Sequence, residues 1–216
     1  MKKYDIIAFD LDGTLTNPER GLVASFVYAL GKMGVDYGEK AKLKRFIGPP
    51  IYEEWQRCFG FTPEESTKAL LVFREYYSVY GWWDNEIYPG VKEMLEKLKR
   101  AGKKIILATS KPEVFAKKIL ELFDISIYFD FIGGAATDKT RDKKSEVLEY
   151  GLQSIGARDR SRVILVGDRI YDAEGAKICG IDSLGVLYGH GSEEEVRSGG
   201  FTLVANTVEE IADILI

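Results

Sequence analysis

Short apolar runs bounded by polar residues recur along the chain. Ile6-Ile7-Ala8-Phe9 leads straight into Asp10, and residues 103–109 (KKIILAT) and 162–166 (RVILV) repeat the form. Runs of this length without alternation predict strands buried on both faces of a parallel sheet. Weaker versions stand at 128–132, 183–187 and 202–204. Between them the apolar positions fall at helical spacing. Val91, Met94, Leu95 and Leu98 form one stripe, stopped by Gly102; Leu148, Leu152 and Ile155 form a second, and Val208, Ile211 and Leu215 a third. Strand and helix patterns in alternation imply βαβ units, hence an α/β fold: a three-layer, Rossmann-like parallel sheet with helices on both faces.

From about residue 17 to 83 the alternation stops. Leu22, Phe26, Leu30 and Met33 form a helical stripe, Ala41, Leu43 and Phe46 suggest a short second helix, Trp55 and Phe59 lie on a third, and Leu70, Phe73, Tyr77 and Tyr80 on a fourth that starts after Pro63. The expectation is an all-α cap of residues 17–83 inserted into a core made of 1–16 and 84–216. Composition narrows the class. The 216 residues are 45% hydrophobic and 30% charged, which suits a globular protein. Thirty basic against thirty-four acidic residues give −4, no footprint for a nucleic-acid polymer or an anionic membrane. Two cysteines cannot build a disulfide framework, no apolar run reaches the ~18 residues of a membrane span, and the start resembles no signal peptide, so a cytoplasmic protein is expected.

Candidate chemistry collects at the strand ends. In Asp10-Leu11-Asp12-Gly13-Thr14 the alternation of an extended chain puts both carboxylates on one side, in the crevice where open α/β sheets bind ligands. Asp168 and Asp172 follow the strand at 162–166 at i, i+4 spacing, so both can face one point on an opening helix. Four acidic residues at two buried strand ends form an oxygen-rich site suited to Mg²⁺, making Asp10, Asp12, Asp168 and Asp172 candidate metal residues. After residues 103–108 come Thr109, Ser110 and a helix start. Ser110 with Glu113 has capping-box spacing, and the same segment describes a phosphate cradle; Thr109 has no capping role and reads as a binding residue. Of Lys143 and Lys144, Lys144 shares the Leu148–Leu152–Ile155 face and is the better fixed cation. Gly189-His190-Gly191 lacks the third glycine of a dinucleotide fingerprint and reads as an exposed loop, and the cap aromatics as packing.

Taken together, Asp10-Leu11-Asp12-Gly13-Thr14, Thr109, Lys144 and Gly167-Asp168-Arg169-Ile170-Tyr171-Asp172 resemble, in order, the four motifs of the haloacid dehalogenase (HAD) superfamily of hydrolases. The helical insertion is similar to the small cap of its phosphoglycolate-phosphatase-like branch. Phe46-Ile47-Gly48-Pro49-Pro50, Thr109-Ser110-Lys111-Pro112 and Gly185-Val186-Leu187-Tyr188-Gly189 resemble members described as 5′-nucleotidase-like. The third motif departs from the branch in lacking a Lys-Pro pair. The resemblance implies a Mg²⁺-dependent phosphatase acting on small phosphomonoesters such as phosphoglycolate or nucleoside 5′-monophosphates. Asp10 would be the nucleophile and Asp12 the acid/base. Mg²⁺ would sit on Asp10, Asp168 and the Asp12 carbonyl, with Asp172 nearby. Thr109, Ser110 and Lys144 would hold the phosphoryl group, and the cap would supply substrate contacts through the 46–50 loop, Gly48 included. A phosphosugar mutase and a non-catalytic phosphate-binding module stay open as alternatives, as does monomer or homodimer.

Overall fold

The computed structural model describes residues 4–49, 51–138 and 140–216; Met1–Lys3, Pro50 (the last position of the 46–50 loop) and Lys139 lie outside the described residues. In chain order the elements are β1 (Ile6–Phe9), β2 (Thr16–Asn17), α1 (Glu19–Lys32), α2 (Ile51–Phe59), α3 (Pro63–Tyr76), β3 (Glu86–Ile87), α4 (Val91–Arg100), β4 (Lys104–Pro112), α5 (Glu113–Leu122), β5 (Phe131–Ala135), α6 (Lys144–Ser154), β6 (Val163–Gly167), α7 (Ile170–Ile178), β7 (Asp182–Val186), α8 (Glu193–Ser198), β8 (Leu203–Ala205) and α9 (Val208–Leu215). The chain divides into two units, Met1–Asn17 with Ile87–Ile216, and Pro18–Glu86.

The first unit is the α/β fold. Its six strands run in the order β5-β4-β1-β6-β7-β8, every pair parallel. The continuous apolar runs become the central strands because both faces are covered: Ile7, Ala8, Phe9, Ile105 to Ala108 and Val163 to Val166 are all fully buried. Ala8, Ile106 and Leu165 pack on Val147, Leu148 and Leu152 of α6. β1, with β4 on one side and β6 on the other, is where the order of connections reverses, so its carboxyl end opens on the crevice of the sheet. β5 starts at Phe131, later than the apolar run at 128–132. The Asp130 carboxylate takes the Ile105 N–H at 2.7 Å, and the strand continues through Gly133 and Gly134. At Gly134 an added Cβ would stand 2.5 Å from Glu113 Cα, a close backbone approach that an apolar pattern does not register.

The second unit is helical. Leu22, Phe26 and Leu30 are its buried stripe on α1, and Phe26 stacks on Phe73 at 5.3 Å beside fully buried Trp55. The cap aromatics divide: Phe73 and Tyr77 are buried and stacked, whereas Tyr80 is half exposed. Residues 40–46 form a 3₁₀ helix rather than an α-helix. Its buried residues, Leu43 and Phe46, are three apart, the period of that tighter winding. α3 opens with Thr62, whose hydroxyl accepts the Glu65 N–H while Glu65 accepts the Thr62 N–H, with Pro63 at the first helical position. No helix of the described residues is long and apolar enough to cross a membrane. Leu165→Ala, a truncation at the centre of the sheet, is expected to cost about 2–5 kcal/mol, read from urea unfolding of the full chain.

Candidate active site

Pairing with the neighbouring strand continues one residue past β1, where the Asp10 N–H donates to Val166 O at 2.9 Å. Asp10 therefore emerges at the carboxyl edge of the sheet with its side chain still largely buried. Leu11 turns back into the core and Gly13 takes φ +82° to reverse the chain. Asp12 points elsewhere: its carboxylate pairs with the Lys111 ammonium.

Beyond β6, Asp168 is fully buried, Arg169 is the N-cap of α7 and Asp172 lies in its first turn. Asp172 Oδ2 accepts the Arg169 N–H at 3.1 Å, and Glu195 from α8 accepts the Ile170 N–H and the Arg169 Nε–H, each at 2.9 Å. Carboxylates thus satisfy the open N–H groups of that helix end. Asp10, Asp168 and Asp172 each place a carboxylate oxygen within 4.8 Å of the others. Lys144, the first residue of α6, reaches Asp10 Oδ1 at 2.8 Å, Asp172 Oδ1 at 2.9 Å and Ala108 O at 3.1 Å. Glu146 fixes that helix start by accepting the N–H groups of Asp142 and Lys143. Lys144 is buried and Lys143 exposed, as the helical-face argument requires.

The electrostatics are unbalanced. Three carboxylates meet one ammonium, so full ionisation would leave two negative charges uncompensated. Burial, then Asp172 and Asp10, push the Asp168 carboxyl well above the usual carboxylate range, and the His190 N–H pulls only partly against them. Burial likewise pushes Asp172 up to about 6, against the opposing pull of Lys144. Burial alone would lower Lys144, but Asp10 and Asp172 outweigh it and keep it charged. Asp168 Oδ2 accepts the His190 N–H at 2.8 Å, and its buried Oδ1 has no hydrogen-bond partner. An all-oxygen site with excess negative charge and an orphaned buried oxygen fits a hard divalent cation.

Around this centre the other candidate residues sort differently. Thr109 is buried, and its hydroxyl accepts the Lys111 N–H at 3.2 Å. The capping-box reading of Ser110 and Glu113 does not hold: β4 runs on to Pro112, α5 has no side-chain cap, and Ser110 is exposed. Glu113 instead takes Arg141 Nη2 at 3.2 Å. Gly48 lies in the helical unit with φ +103°. No motif or helical spacing singles out Lys111 in the sequence. Its signal is strand alternation, since a β4 that does not end at Ala108 brings Thr109 and Lys111 to one face. His190, expected on an exposed loop, is half-buried.

Residues 7–186 match the family of haloacid dehalogenase-like hydrolases. A 5′-nucleotidase of Pseudomonas aeruginosa is 38% identical over 91% of this chain and 88% of that protein. Tyrosine-protein kinase PtkA of Mycobacterium tuberculosis is 36% identical over 97% of this chain and 72% of that protein. The crystal structure of a candidate phosphatase from Clostridium difficile superposes with a TM-score of 0.90, 44% identical and covering 100% of both chains. The chain belongs to the haloacid dehalogenase-like hydrolases.

Because the native values of Asp168 and Asp172 are raised, proton uptake stabilises the metal-free fold fully below the unfolded carboxyl value of about 3.9; the Asp172 share is lost as pH rises through about 6, and the Asp168 share as pH rises through its own raised value. A divalent cation needs the deprotonated carboxylates. The gap between melting temperatures in Mg²⁺ and in EDTA is therefore expected to widen from about pH 5 to about pH 8, by about 2–4 °C per kcal/mol. A gap that stays constant with pH contradicts the assignment.

Proposed function

We propose that this protein, a phosphoric monoester hydrolase of the haloacid dehalogenase type, cleaves small phosphomonoesters with Mg²⁺ through an aspartyl-phosphate on Asp10. The observation that carries the reading is the grouping of Asp10, Asp168 and Asp172 around Lys144, with a separate Asp12–Lys111 pair alongside. Asp10 attacks phosphorus in line and displaces the alcohol, dividing one difficult displacement into two. Asp12 donates a proton to the leaving oxygen, then takes one from the water that hydrolyses the acyl phosphate. Lys144 is a permanent cation beside Asp10, suited to a non-bridging phosphoryl oxygen, and Thr109 and Ser110 supply further donors. Asp10, Asp168 and the Asp12 carbonyl would hold Mg²⁺, with Asp172 behind them; when bound it supplies neutralisation of charge on nucleophile and phosphate. Nucleoside 5′-monophosphates and phosphoglycolate head the substrate classes, in line with the nucleotidase relative.

The PtkA relative favours one second reading, in which the same phosphoryl group passes to a tyrosine hydroxyl instead of water. A screen of phosphomonoesters with Mg²⁺, following both released phosphate and protein-bound phosphotyrosine, separates the two. Asp10→Asn is expected to lower kcat more than about a thousandfold with the fold retained; undiminished turnover in that variant would sink the mechanism. Asp12→Asn is expected to lose about 10²–10⁴-fold in kcat, with the larger losses on esters of poorer leaving groups.

A further inference from the structure

The loop after β7 has no part in the chemistry above, yet it is packed against Asp168. The His190 N–H occupies Asp168 Oδ2 at 2.8 Å. A Cβ added at Gly189 would stand 2.4 Å from Asp168 Cβ and 2.6 Å from Oδ2, and one at Gly191 would stand 2.0 Å from the Asp168 carbonyl oxygen. These separations are far inside the ~3.5–4.0 Å of good carbon contact, so no side chain fits there. Neither glycine has positive φ. Space, rather than backbone conformation, demands them. Gly13 closes on the same carboxylate, where a Cβ would come within 2.2 Å of Oδ2 and 2.7 Å of Oδ1. Tyr188 ties the loop to the Asp10–Thr14 turn by donating to Thr14 O at 2.8 Å and meets Tyr88 edge-on at 5.0 Å.

We propose that Gly189-His190-Gly191 is a backbone clamp that sets the orientation of Asp168, engaging Oδ2 so that Oδ1 is presented to the divalent cation. This rests on the Mg²⁺ reading of the site. The two oxygens divide the work: Oδ2 is held by the His190 amide, and Oδ1 is buried without a hydrogen-bond partner. Groups that orient a metal ligand in this way commonly govern affinity for the ion as strongly as they govern rate. The three residues act through Asp168 and are positioning residues.

The test is calorimetric titration of Mg²⁺ into EDTA-stripped full-length protein, with melting in EDTA to verify folding and phosphate release followed in parallel. Gly189→Ala and Gly191→Ala are expected to weaken Mg²⁺ binding about 10–100-fold and to regain kcat at saturating Mg²⁺, a rescue that general loss of structure would not show. Tyr188→Phe adds no atom and removes one hydrogen bond; it is expected to fold and to bind Mg²⁺ several-fold more weakly. Gly31→Ala, where an added Cβ meets nothing, is the control and is expected to bind as wild type. Wild-type affinity in the folded members of the loop set, or no Mg²⁺ uptake by the wild type, overturns the clamp. Weakened variants of a wild type that binds Mg²⁺ but releases no phosphate support the clamp and overturn the hydrolytic reading.

Discussion

Gathering three carboxylates at the edge of a sheet is unfavourable twice over, through like-charge repulsion and through loss of water, and a single lysine offsets only part of it. The surrounding structure can be read as what holds that arrangement in place. The apolar interior of β1, β4 and β6 anchors the strands that lead into Asp10 and Asp168 and carry Thr109, and the sheet cannot relax without exposing Phe9, Leu107 or Val166. The same crowding sets the glycines. A Cβ at Gly167 would lie 2.2 Å from Asp172 Cγ, and one at Gly175 would lie 2.6 Å from Lys144 Cγ. Backbone without side chains is what lets so many charged groups share so little space.

Two lysines serve different carboxylates. Lys144 bridges Asp10 and Asp172, whereas Lys111 engages Asp12. The proposed nucleophile and the proposed proton carrier stand two residues apart in sequence, yet each pairs with a lysine delivered by a different element. Such separation is how neighbouring carboxylates come to have unlike roles.

Much of this was legible in the chain. Uninterrupted apolar runs announced the central strands, since burial on both faces leaves no other pattern, and paired acids directly after two of them marked the crevice. Lys144 was separable from Lys143 because a helix face is a matter of counting. The misses share a cause. The apolar pattern puts β5 too early because Gly133 and Gly134 carry no hydrophobic signal, although their smallness admits the neighbouring chain. Ser110 was read as a possible helix cap because local spacing competes with strand continuation, and ladder pairing across Thr109 and Pro112 is a long-range fact. The same extension hid Lys111. Gly189-His190-Gly191 shows no chemistry in local spacing because its partner, Asp168, lies about twenty residues away along the chain.

The discontinuity of the α/β unit bears on how the protein is made. Ile6 pairs with Lys104 on one side and Val163 on the other, so β1 is synthesised long before either partner. Those distant pairings carry a large loop-closure cost and belong to slow, late steps of assembly. During translation the contiguous stretch Pro18–Glu86 emerges entire while β1 still lacks both neighbours. The acidic centre exists only once Asp172 has left the ribosome, when most of the 216 residues are already polymerised. A nascent or truncated chain would carry Asp10 and Asp12 without the companions that give them a purpose, which ties the onset of reactivity to completion of the sheet.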